Sequence, residues 1–106
     1  MTAVTPVPCL TSQVATGGTA VNAVGPNPNG GFLQNPFSAT DQGLGAAEDM
    51  IVNPVGNAAA PNVAGGVNGT NFRISPGQLW NIIAGQTTPT SVNAASNGHK
   101  FSGVSW

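Results

Sequence analysis

From Met50 to the end of this 106-residue chain, short apolar runs alternate with turn residues in a pattern that predicts β-strands. Met50-Ile51-Val52 is β-rich and stops at Asn53-Pro54. Residues 71–75 set Phe72 and Ile74 on one face and Arg73 on the other, and Pro76-Gly77 then marks a turn. Residues 78–83 form the next expected strand, with Trp80 and Ile82 on one face. Residues 90–94 follow, with Val92 as the apolar member. Residues 99–106 close the chain, with Val104 and Trp106 facing one way and Phe101 the other. Strands recurring about every 8–12 residues predict a sandwich or small barrel.

The first forty residues read differently. They carry no charged side chain, and Pro6, Pro8, Pro26, Pro28, Pro36 and the pairs Gly17-Gly18 and Gly30-Gly31 interrupt any regular element. Strands are expected over 11–14 or 19–24, and the remainder as an extended arm or long loops. Phe32, Leu33 and Phe37 need a dry environment, which argues against a disordered tail. The expected fold is therefore all-β: a small antiparallel β-sandwich or barrel over residues 41–106, with an extended, Gly/Pro-rich N-terminal arm over 1–40. A single helical turn fits only residues 43–49, because no long 3.6-residue apolar stripe exists. Asn29-Gly30, Asn68-Gly69 and Asn97-Gly98 favour tight turns, and the last predicts a hairpin between residues 92–94 and 100–101.

Charge changes the picture further. Lys and Arg number 2, Asp and Glu 3, and charged residues make up 5% of the chain, against roughly 25% in ordinary domains. So few cations leave little counterion release, which excludes nucleic acid as an expected partner. Near-zero net charge favours association, so copies of the chain itself are expected to supply part of its stability. No apolar run approaches a membrane span. The N-terminus has neither the basic nor the apolar region of a signal peptide, and Cys9 has no second cysteine to pair with, so assembly in a cytoplasm is expected.

Candidate chemistry is sparse. Catalysis needs an acid, base or nucleophile beside an activating partner. A Cys9–His99 pair has no third orienting group in view; Cys9 reads as a small buried residue and His99 as a turn residue opening the last strand. Glu48 and Asp49 would face opposite sides of a strand and are expected in a solvated turn or against a basic neighbour. With Cys9 and His99 they are too few for a zinc or calcium site. Gly65-Gly66 lacks the Lys and Ser/Thr of a phosphate loop. Asn68-Gly69-Thr70 matches a glycosylation sequon and is expected to be a turn only. No catalytic residue, cofactor or metal is expected. Phe32, Phe37, Phe72, Trp80, Phe101 and Trp106 are the expected core or interface anchors, and the two tryptophans are expected to pack rather than to offer sugar-stacking platforms.

The stretch Asn71-Phe72-Arg73-Ile74-Ser75-Pro76-Gly77-Gln78 resembles a β-hairpin pattern of small tailed-phage virion proteins, and Thr90-Ser91-Val92-Asn93-Ala94-Ala95-Ser96-Asn97-Gly98-His99-Lys100-Phe101 looks like the next hairpin. The N-terminal half is similar only in style. The nearest class is the capsid decoration, or cement, protein. The resemblance implies a virion protein on the capsid surface that clamps neighbouring copies of the major capsid protein. By the same analogy it implies a homo-oligomer, a trimer in particular. The alternatives are a tail, collar or fibre component, or a carbohydrate-binding or adhesin module.

Overall fold

The computed structural model describes residues 3–59 and 69–106. Gly65-Gly66 and Asn68 of the sequon lie outside them. The fold is all-β, with about 35% strand and 4% helix. Four strands come from the first forty residues: β1 (Val7–Pro8), β2 (Gln13–Val14), β3 (Val21–Val24) and β4 (Gly31–Gln34). A one-turn helix α1 (Ala39–Gln42) precedes β5 (Met50–Asn53), β6 (Phe72–Ile74), β7 (Leu79–Asn81), β8 (Thr90–Ala94), β9 (His99–Lys100) and β10 (Ser102–Ser105).

All pairings are antiparallel. A front sheet has the order β1-β10-β4-β7, a back sheet β3-β8-β5-β6, and β2-β9 forms a short ladder. The core holds Leu33 from the front sheet, Ala23, Val24, Met50, Val52, Ile74, Val92 and Ala94 from the back, and Val14, Ile82 and Phe101 from the ladder and loops. Its largest fully buried apolar side chains include Leu33, Met50, Val52 and Val92. Complete burial of an aliphatic side chain of this size stabilises by roughly 1.5–3 kcal/mol.

The expected split into an arm over 1–40 and a core over 41–106 differs from the observed pairing. β4 lies between β10 and β7, and β3 pairs with β8. Val7 and Pro8 pair with Ser105 and Val104, the Phe101 amide donates to the Ser12 carbonyl, and Gln13 and Val14 pair with Lys100 and His99. The N-terminal segment therefore runs along the C-terminal strands. Its uncharged, β-tolerant residues satisfy their backbone groups in the chain's own sheets, as buried backbone must.

Two expected hairpins are also corrected. Gly77 adopts φ 88°, and the Gln78 amide donates to the Ser75 carbonyl, so the Pro76-Gly77 turn forms. The strands it joins nevertheless separate, β6 into the back sheet and β7 into the front. Gly98 likewise adopts φ 77°, yet β8 pairs with β3 and β5 while β9 pairs with β2. The Gly98 amide donates to the Val14 carbonyl instead. Both turns are arches between sheets. The helical turn falls at Ala39–Gln42, not at 43–49. Ser38 caps it by accepting from the Asp41 amide, and Gly43 ends it at φ 76°.

Candidate functional site

Two features stand apart from ordinary core packing: a buried polar junction centred on His99, and the outer face of the front sheet. In the junction, His99, Asn35 and Gln42 have no exposed surface. His99 Nδ1 lies 2.9 Å from Glu48 Oε1 and Nε2 lies 2.8 Å from Asn35 Oδ1. Asn35 Nδ2 donates to the carbonyls of Glu48 and Ile74. Gln42 Nε2 donates to Asn35 Oδ1 and to the carbonyls of Pro36 and Glu48, and its Oε1 accepts the Glu48 amide. Ser96 donates its amide and its hydroxyl to the Glu48 carboxylate. Burial pulls the Glu48 carboxyl up, but the hydrogen bonds from His99 and Ser96 outweigh it and leave the group below the ordinary value.

His99 is thus a buried hub and not a turn residue. Both of its ring nitrogens are engaged by Glu48 and Asn35, which leaves neither to activate Cys9. Burial pushes the Cys9 thiol up, away from the nucleophilic thiolate. Glu48 and Asp49 diverge: Glu48 meets His99, while Asp49 accepts from Arg73 at 3.0 Å on the surface. Asn35 and Gln42 escaped the sequence reading. Each is an ordinary polar residue in a polar-rich chain, and only the meeting of β4, α1 and β9 buries them.

On the front sheet, Leu33, Gly103 and Trp80 form one cross-strand row, and Leu33 lies in the core. The alternate rows, Pro8-Val104-Phe32-Asn81 and Ser102-Gln34-Leu79, therefore point outward. Phe32 is 37% exposed and Leu79 57%. None of the residues in the four front-sheet strands is charged. Among the described residues, the back sheet has no such bare face. Residues 54–59 fold over its outer side, with the Ala58 amide donating to Ser91 Oγ, Asn93 Nδ2 to the Ala58 carbonyl and the Ala59 amide to Asn71 Oδ1. Consequently both central strands, β5 and β8, are buried along their whole length.

The expected anchors divide between core and surface. Phe101 lies in the core at 4% exposure. Trp80 and Trp106 are half-buried: Trp80 packs on the core and stacks with Phe72, and the Trp106 indole lies against Gly30. Phe32, Phe37 and Phe72 are exposed, Phe37 most of all at 78%. Among the described residues, no group of three or more His, Cys, Asp or Glu is placed to hold a metal ion. No helix among them is long and apolar enough to cross a membrane. No family model, no curated protein and no solved structure matches this chain.

Proposed function

We propose that this chain is a structural virion protein of the decoration, or cement, type. It binds the outside of a phage capsid through its front sheet and stabilises joints between capsid subunits. The observation that carries this reading is the contrast between the two outer faces. Residues 54–59 fold over the back sheet, whereas among the described residues Phe32 and Leu79 stay exposed on a charge-free front-sheet face. Such a face suits a protein surface, where apolar contact and neutral hydrogen bonds supply the affinity. The low charge of the whole chain supports the same reading, since permanent residence in an assembly reduces the need for charge-based solubility. A sugar-binding module built on the two tryptophans has less support, because it needs an open indole face. Both indoles are half-buried, Trp80 against Phe72 and the core, Trp106 against Gly30.

The test is purification of virions from lysates of cells expressing the chain from the phage genome. The protein should travel with intact particles at high copy number and stay bound from low to molar NaCl, because apolar contact is screened far less than ion pairing. Leu79→Lys should fold and fail to bind. Particles lacking the chain should rupture at lower temperature. Release by modest salt would refute the apolar interface, unchanged particle stability would remove the cement role, and a tail location would select the tail alternative.

A further inference from the structure

The hydrogen-bond directions around His99 leave little freedom. Asn35 Nδ2 is committed to two backbone carbonyls, which turns its Oδ1, an acceptor only, toward His99 Nε2. Nε2 therefore carries a proton. Across the ring, Nδ1 faces Glu48 Oε1, which already accepts the Ser96 amide. A neutral ring protonated at Nε2 would set the Nδ1 lone pair against a carboxylate. We propose that His99 is held as a doubly protonated imidazolium, and that its Nδ1 proton is a latch on the junction of the three sheets, opened when that proton is lost or when Glu48 gains one.

The latch joins parts that no backbone ladder connects. His99 belongs to the β2-β9 ladder, Asn35 follows β4 of the front sheet, and Glu48 leads into β5 of the back sheet. Asn35 also reaches the Ile74 carbonyl at the end of β6. Several other charged groups sit on neighbouring elements. Asp49 and Arg73 are paired with each other, Asp41 is exposed on α1, and the Lys100 side chain runs toward Gly43. Among the described residues, only Glu48 forms an ion pair with the ring. Losing the Nδ1 proton sets a lone pair against the carboxylate; protonating Glu48 removes the charge that faces the imidazolium. Either event weakens a part-buried, charge-assisted bond.

Long-range proton–nitrogen NMR of the full chain at neutral pH reads the ring directly. Both nitrogens should bear protons, and a single bare ring nitrogen in the wild-type spectrum would overturn the proposal. Glu48→Gln offers an amide donor that matches a neutral ring, so its spectrum should change to one protonated and one bare nitrogen. A ring that stayed doubly protonated in that variant would refute the role of the carboxylate. If the variant does not fold, a pH titration of the wild type decides. The side-chain amide signals of Asn35 and Gln42 should move with the same midpoint as the ring nitrogens, and signals that stayed still while the ring lost its proton would refute the latch.

Discussion

Phe72 and Trp80 stack across the gap between the two sheets, with ring centroids 4.8 Å apart and planes tilted by 35°. Phe72 stands on β6, the edge of the back sheet, and Trp80 on β7, the edge of the front sheet. The pair therefore closes one open side of the sandwich where no backbone hydrogen bond runs. Aromatic pairs contribute about 0.5–1.5 kcal/mol beyond their area. Trp80→Ala should cost on the order of 2–3 kcal/mol, below the roughly 3–5 kcal/mol of a fully buried tryptophan. A double-mutant cycle with Phe72→Ala, read by urea melts, should show positive coupling. Additive losses would mean that the rings touch without stabilising each other.

Trp80→Phe should behave quite differently from Trp80→Ala. The indole Nε1 is buried, and no acceptor among the described residues reaches it. Removing an unpaired buried donor while keeping most of the ring offsets the lost area. The variant should melt within about 1 kcal/mol of wild type. A loss as large as that of Trp80→Ala would indicate that the N–H has a partner.

Gly103→Ala should destabilise the front sheet. A methyl group there would lie 2.6 Å from Leu33 Cδ2 and 2.7 Å from the Phe32 carbonyl oxygen. The Phe32 backbone is held in β4, so the strand itself must shift. Overpacking of this kind costs typically about 1–3 kcal/mol. A lowered denaturation midpoint with an unchanged slope would bear this out, whereas a neutral substitution would refute the close approach of β4 and β10 at this position.

Acid should weaken the fold through Glu48. Its carboxyl is held below the ordinary value in the folded chain. A lowered folded value means stability that is complete above the ordinary carboxylate range and lost as pH falls through that range and below it. Melting temperature should drop on acidification, and Glu48→Gln should flatten that part of the profile. An equal acid response in the variant would assign the loss to other groups.

Amide exchange in the isolated chain should protect β4 as well as β5, β8 and β10. Each of these lies inside a four-stranded sheet. Residues 3–6, exposed and outside any strand, should exchange fast. Fast exchange of β4 in a monomer would mean that the N-terminal segment orders only on a partner.

The sequence by itself determined the β-class and the best strands. Apolar, β-branched runs bounded by turn residues place β5 and β8 almost to the residue, because periodicity and turn chemistry act locally. It also located the positive-φ glycines at Gly77 and Gly98, where the residue type meets the backbone need directly. Pairing was a different matter. A turn requires only a few dihedral angles, while a strand's neighbour depends on which edges the whole chain leaves open and which apolar faces remain to be covered. Both arches therefore looked like hairpins, and residues 7–34 looked like an arm although their partners lie up to about a hundred residues away. The same reason hid the His99 junction. Its members, from Asn35 to His99, carry no shared local pattern, and only the crossing of β4, α1, β5 and β9 brings them together and lets them satisfy one another.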